Sequence, residues 1–418
     1  MNSSHTASDQ QVSPTALGGL RVLDMSRVLA GPWCGQMLSD LGAEVIKIER
    51  AGVGDDTRRW EPCAPSPAGD DQRHSCYFLA ANRGKKSLTI DLSQPKGADI
   101  VRRLAAGSDI LIENYKTGDL DRYGLGFEAL SKSNPGLIYC SITGFGQTGP
   151  YRSRAGYDTI VQAMGGLMHI TGESDDMPAG GPQRCGLPVI DLMTGVYAAA
   201  AILAALRHRD ATGHGQYIDM SLLDVQVSSL AYFGLNYLTT GRVQQRSGNR
   251  NPVSHPSGVY TCSDGRVVVI VGNNRQFTSF CTALGVPQLA SDERFAENES
   301  RVGNALALDT VLDPLFAAAP VAHWLTTLSA AGVPCGPIND IAQVFADPQV
   351  LARGAVTTAS HPVLGEIPLL ASPMRLSATP TRHTLSPPML GEHTSEVLRD
   401  RLGLTDDAIV RLRRNGIV

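Results

Sequence analysis

The chain predicts an α/β protein built on a parallel, Rossmann-like sheet. Three observations carry that expectation: short apolar, β-branched runs recur along the sequence, helical segments and glycine turns separate them, and 42% hydrophobic against 18% charged residues is the balance of a folded enzyme. Strands buried on both faces read as continuous apolar runs, and their alternation with helices implies crossover connections. At 418 residues the chain can hold two or more domains.

Taken in order, residues 21–26 (RVLDMS) read as a strand, 31–41 as a helix and 43–49 (AEVIKIE) as a strand. A strand over 87–92, a helix over 95–106, and strands over 109–113 (DILIE) and 137–142 (LIYCSI) follow. Residues 143–215 are dense in glycine, which marks turns and places where backbone approaches a ligand or another backbone. The run 192–206 is apolar except for Thr194 and Gly195; at 15 residues it falls short of the roughly 20 that a membrane span needs, so it reads as a core helix. A strand at 216–220 and a helix over 221–238 come next, then a loop with Gly248, Pro252 and Pro256, a strand at 266–271, and a basic amphipathic helix near 405–414.

Formal net charge is −4, so no global field favours nucleic acid or an anionic membrane. The eight cysteines form no C-x-x-C pair, which argues against a structural metal and fits reduced thiols in a cytoplasmic setting. The first 17 residues carry no Lys or Arg and read as a disordered lead-in, unlike a signal or transit peptide.

The first strand runs into Ser26-Arg27-Val28-Leu29-Ala30-Gly31-Pro32. The G-x-G-x-x-G fingerprint of a dinucleotide site is missing, which weighs against an NAD-dependent oxidoreductase. The helix that follows can still offer its positive end to an anion. Arg50, Lys116 and Arg122 follow strands whose ends converge on one edge of a parallel sheet, so they read either as a phosphate pocket or as solvated charges. Asp191, just before the apolar run, is open to two readings: a helix N-cap, or a carboxylate held beside a glycine-rich cavity as a nucleophile. His169, among apolar neighbours, reads first as a core histidine.

Several segments together resemble the class III CoA-transferases, the family of formyl-CoA transferase and carnitine CoA-transferase. They include Val22-Leu23-Asp24 with Ala30-Gly31-Pro32, and Gly42-Ala43-Glu44-Val45-Ile46-Lys47-Ile48-Glu49. Asn82-Arg83-Gly84-Lys85-Lys86-Ser87, Glu113-Asn114-Tyr115 and Gly156-Tyr157-Asp158 add to them, as do Asp191 through Gly195 and Thr212-Gly213-His214-Gly215-Gln216. Gly54-Asp55-Asp56-Thr57-Arg58, Gly166-Leu167-Met168-His169 and Gly336-Pro337-Ile338-Asn339 resemble the succinyl-CoA:glutarate branch, which handles C4–C6 dicarboxylates.

The resemblance implies an interlocked, ring-like homodimer. Each chain would have a large Rossmann-like domain built from both chain ends (18–225 and 336–418), a linker at 226–244 and a small central α+β domain at 245–335. It makes Asp191 the nucleophile. It places CoA contacts at Val28, Ala30, Arg50, Ile90, Asp91, Leu92, Ser93, Asn114, Tyr115, Lys116, Arg122 and Tyr157. Acceptor contacts are expected from Arg184, Arg246, Gly248 and His169. CoA is a substrate, with no tightly bound cofactor, metal, nucleic acid or membrane partner expected. Two departures matter: only Gly248 stands where the formyl-CoA enzyme has a glycine run, and Tyr157 stands where the related α-methylacyl-CoA racemases have His, against an isomerase. A CoA-binding protein without catalysis is the remaining alternative, opposed by the retained Asp191.

Overall fold

The computed structural model describes residues 15–65, 74–178, 180–382 and 385–418. They fall into two compact units. The first runs to Gly165 and adds Gly186–Gly234 and Arg353–Val418; the second is Gly166–Cys185 with Leu235–Ala352.

The first unit is organised by six parallel strands: β1 (Arg21–Asp24), β2 (Glu44–Glu49), β3 (Lys85–Thr89), β4 (Ile110–Glu113), β5 (Ile138–Thr143) and β6 (Tyr217–Ser221). Their order across the sheet is β3-β2-β1-β4-β5-β6. This is the arrangement of dinucleotide-binding domains, in which the strand order reverses between β1 and β4 and a crevice opens at the strands' carboxyl ends. Between the strands lie α1 (Ala30–Asp40) and α2 (Pro95–Ala106), whose Ile100, Val101 and Leu104 pack against the sheet residues Leu23, Ile46, Leu88 and Leu111. The chain's end joins the same core through Val397, Leu398, Ile409, Leu412 and Ile417.

Three further helices follow β5 and β6 or lie between them: α3 (Asp158–Met164), α4 (Val189–Thr212) and α5 (Leu222–Ser229). The apolar run is longer than its sequence suggests. At 24 residues α4 is long and apolar enough to cross a membrane by length and composition, but it packs in this unit, burying Ile190, Thr194, Ala198, Ile202 and Ala205. Gly195 lets α1 come close, since a Cβ there would lie 2.7 Å from the Ala30 carbonyl oxygen and 3.1 Å from Trp33.

In the second unit β7 (Ser257–Thr261), β8 (Arg266–Ile270) and β9 (Cys335–Pro337) form an antiparallel sheet in the order β9-β8-β7. Val267, Val269, Phe277, Phe280, Leu312, Phe316 and Trp324 make its core.

Several expected boundaries move. The strand expected at 87–92 is Lys85–Thr89, because Lys85 and Lys86 pair in register with β2. The helix expected over 221–238 is two, α5 and α6 (Ala231–Thr240), broken where Ala231 takes a φ of 47°. Most of the supposed linker at 226–244 is therefore helical. Residues 166–185 join the second unit because Arg246 and Gly248 hydrogen-bond to them, and the unit runs past 335 because Gly336 and Pro337 pair with β8. Of the expected lead-in, residues 1–14 lie outside the described residues, whereas Leu17 is buried and donates its N–H to the Leu41 carbonyl.

Candidate active site

A cavity of about 200 Å³ opens where the strand order reverses. The loop after β1 (Arg27, Val28, Leu29), the start of α1 (Ala30), the loop after β4 (Asn114 to Thr117), the end of β5 with Gly144, the segment Arg152 to Tyr157, and Asp191 all line it. The two loops at the reversal are tied reciprocally: the Arg27 N–H donates to Asn114 Oδ1 (2.8 Å), and Asn114 Nδ2 donates to the Arg27 carbonyl (2.7 Å). Gly144 and Gly156 shape the far wall, since a Cβ on Gly144 would lie 2.5 Å from the Gly156 Cα.

A buried charge network supports the near wall. Lys47, on β2, has its Nζ 2.9 Å from Asp55 and donates to the Ser26 carbonyl at 2.8 Å. Asp55 in turn accepts the Val28 N–H at 3.3 Å, and Val28 is held at a φ of 70°. That conformation is a genuine outlier for a β-branched side chain and persists only where the surroundings fix it. Lys85 reaches Asp24 at 2.8 Å with both side chains fully buried; burial lowers its ammonium to about 8, with Asp24 opposing.

Asp191 is not an N-cap. Pro188 occupies the cap position and contributes no side-chain bond, so Asp191 is the third residue of α4, half-buried in the first turn. Its carboxylate accepts no hydrogen bond among the described residues. Burial first, and the charge of Asp158 second, push it up to about 7. Tyr77 feels the same environment: its phenol is raised to about 12 by burial and then by Asp191.

Of the residues expected at the CoA site, Val28, Ala30, Asn114, Tyr115, Lys116 and Tyr157 line the cavity with Asp191. Arg50, Ile90, Asp91, Leu92, Ser93 and Arg122 lie outside that lining. The Ser93 hydroxyl chiefly holds the Asp91 carboxyl down, with exposed Arg50 near enough to add to it, and exposed Arg122 pairs with Asp119 at 3.0 Å. Sequence reasoning missed three cations in the lining, Arg27, Arg152 and Arg154. The last two lie between Gly149 and Gly156, just before Tyr157, which was the available signal.

The acceptor candidates belong to the second unit. Arg246 is buried with its fork spent: Nε on the Glu173 carbonyl, Nη1 on the His169 carbonyl and Nη2 on Asp175. Gly248 has a φ of 57°, with the Glu173 carboxylate where a Cβ would go. His169 is exposed rather than a core residue, and Arg184 is exposed beside the Cys185 carbonyl.

The six-stranded order and a cavity at its reversal, ringed by cations and holding one under-solvated carboxylate, define a ligand-binding α/β enzyme whose ligand is anionic. The profile of CoA-transferase family III matches residues 17–394. The chain is 46% identical to the succinate–glutarate CoA-transferase of Agrobacterium fabrum, over 92% of this chain and 95% of that one. It is 42% identical to the human succinyl-CoA:glutarate CoA-transferase, over 96% and 90%. Among solved structures, a CaiB/BaiF family protein from Brucella suis superposes with a TM-score of 0.83 at 45% identity, covering 93% of this chain and 99% of that one. The chain belongs to CoA-transferase family III and is a CoA-transferase, with acyl-CoA as its substrate.

Proposed function

We propose that this enzyme moves coenzyme A from succinyl-CoA to a C4–C6 dicarboxylate, with Asp191 as the nucleophile. The observation that carries the assignment is the position of Asp191, a carboxylate without a hydrogen-bond partner among the described residues, in a cavity lined by the loops after β1 and β4. The named activities of the relatives from Agrobacterium fabrum and human support the choice of acids.

Asp191 attacks the donor thioester carbonyl, forming an aspartyl–acyl anhydride and expelling CoA thiolate. The thiolate, held by its nucleotide end, attacks the aspartyl carbonyl; the anhydride C–O bond breaks, the donor acid leaves and an aspartyl–CoA thioester remains. The acceptor carboxylate then attacks that thioester, and the expelled thiolate takes the acceptor acyl group, freeing Asp191. One thioester is exchanged for another, so the overall equilibrium is nearly balanced. Both intermediates hydrolyse, so the cavity has to exclude water while they exist. Backbone N–H groups of the glycine-rich wall can stabilise the developing oxyanion. Incubation with succinyl-CoA and a panel of dicarboxylates, following new acyl-CoA species by mass, tests the assignment; formation of no dicarboxyl-CoA would refute it.

The finer architecture belongs to the same reading: a cytoplasmic, interlocked homodimer whose chain ends complete the large domain and whose central segment forms the small one. Exposed apolar residues on α4 and α6 (Val196, Tyr197, Leu203, Leu235, Leu238) suit a subunit contact. A monomeric mass by sedimentation would count against it.

Arg50 and Arg122 are proposed to meet CoA phosphates from the rim. Neutralising either should weaken acyl-CoA binding about three- to tenfold, and added salt should act in the same direction. Calorimetric titration with an acyl-CoA measures this, and unchanged affinity in both variants would make them surface charges.

A distal carboxylate on the acceptor calls for a cation. Arg184, seven residues before Asp191 in the sequence, is the proposed reader, because a planar guanidinium binds a carboxylate bidentately. Arg184→Met should cut kcat/KM for dicarboxylates about tenfold, roughly 1.4 kcal/mol, while sparing monocarboxylates of equal length. Equal losses for both would assign it to loop structure.

A further inference from the structure

The amides at the start of α4 are not available to Asp191. Asp158, the first residue of α3 and buried, accepts the Ile190 N–H at 2.8 Å and the Asp191 N–H at 3.1 Å, both on Oδ2. Its other oxygen takes the side-chain amide of Gln162, also buried. A helix whose own cap residue is proline is thus capped from 33 residues upstream. The first-turn N–H groups that would ordinarily solvate an acidic side chain are turned to another carboxylate.

We infer that Asp158 is a positioning residue for catalysis, which caps α4 in place of Asp191 and leaves the Asp191 carboxylate without the first-turn amides and beside a second negative charge. This rests on Asp191 being the nucleophile. Its energetic sense follows from the first chemical step. Asp191 carries its charge before attack and loses it on becoming an anhydride or thioester. The repulsion from Asp158 is therefore present in the ground state and relieved as the acyl bond forms, which favours acylation. Burial and the Asp158 charge are also what hold the Asp191 carboxyl near 7. Among the described residues, the other charged and titratable groups around the cavity are the cations Arg27, Lys116, Arg152 and Arg154, with Asp56, Tyr115, Tyr157 and, from the helix Cys76–Ala81, Tyr77.

Asp158→Asn separates charge from capping, because its amide oxygen can accept both N–H groups while Gln162 turns its own carbonyl to the new side-chain N–H. The variant should lose tenfold or more in kcat with little change in KM for acyl-CoA. The acid limb of its pH–kcat/KM profile, expected near 7 in the parent enzyme, should move down by a pH unit or more while the unfolding midpoint holds. A kcat and acid limb equal to the parent's would overturn the proposal and leave Asp158 a structural cap. Should the variant fail to fold, the parent decides: the rate of covalent CoA attachment, followed by intact mass against pH, must fall off near 7, and a limb near 4 overturns the proposal. Mapping that adduct to Asp191, and its loss in Asp191→Asn, separates the two ideas. An adduct elsewhere, or transfer surviving in Asp191→Asn, overturns the nucleophile and with it this inference, whereas an adduct on Asp191 with an unmoved limb overturns Asp158 alone.

Discussion

Asp191→Asn is expected to reduce CoA transfer by about 10⁴-fold or more and yet to make the protein more stable at pH 8. The loss of activity follows from removing the oxygen nucleophile, for which nothing else in the cavity substitutes at the same position. The gain in stability follows from the raised carboxyl. Unfolded, Asp191 titrates near the ordinary 3.8; folded, it titrates near 7. Between those values the native state binds a proton that the unfolded chain has already released, so stability falls as pH rises through the window and the full penalty applies above about 7. A displacement of about three units is worth about 4 kcal/mol, and about 2–4 kcal/mol once partial exposure of the side chain is allowed for. Asparagine carries no such penalty. Denaturant unfolding of parent and variant at pH 8 should therefore show the variant ahead, and at pH 4 the two should nearly coincide. A variant less stable at pH 8 would mean that Asp191 supports the fold, as an N-cap would.

That outcome bears on what the sequence could reveal. An Asp at the edge of an apolar run looks like a helix cap, and counting the helix from Leu192 makes it one. Pro188 displaces that assignment by three residues, and the real cap comes from Asp158, which no local pattern connects to the helix. The strands were legible because burial on both faces demands unbroken apolar character, as in Ile110–Glu113 and Ile138–Thr143. The cavity was legible through family resemblance at Val28, Asn114, Tyr115, Lys116 and Tyr157, but Arg152 and Arg154 were lost in a glycine-rich stretch whose course depends on tertiary contacts. Lys47 and Lys85 were hidden differently. Lys47 lies inside an expected strand and Lys85 just before one, and nothing in the local pattern shows that both are wholly buried.

Lys47 is where the second large effect is expected. Three cations, Lys47, Lys85 and Arg58, neutralise three carboxylates, Asp24, Glu49 and Asp55, behind the loop that carries Val28. Removing one member leaves its partner charged and dry, so Lys47→Met should cost about 3–5 kcal/mol in denaturant unfolding at pH 7. The pH dependence identifies the stranded partner. In the parent enzyme burial works against the Asp55 charge, but Lys47 and the Thr57 hydrogen bonds together outweigh it and hold the carboxyl below its ordinary value. Asp55 thus contributes stability above the unfolded value of 3.8 that is lost as pH falls through the depressed folded one. Without Lys47, burial drives the carboxyl upward against only the Thr57 hydrogen bonds, so the deficit of the variant should be greatest at neutral pH and shrink toward pH 4. A deficit independent of pH would point to lost packing instead. The same change frees Asp55 from its hold on the Val28 N–H, and a valine at a φ of 70° has no reason of its own to stay there. KM for acyl-CoA should rise alongside the loss of stability, and Val28→Gly in the Lys47→Met background should restore part of the affinity, because glycine adopts that conformation without strain.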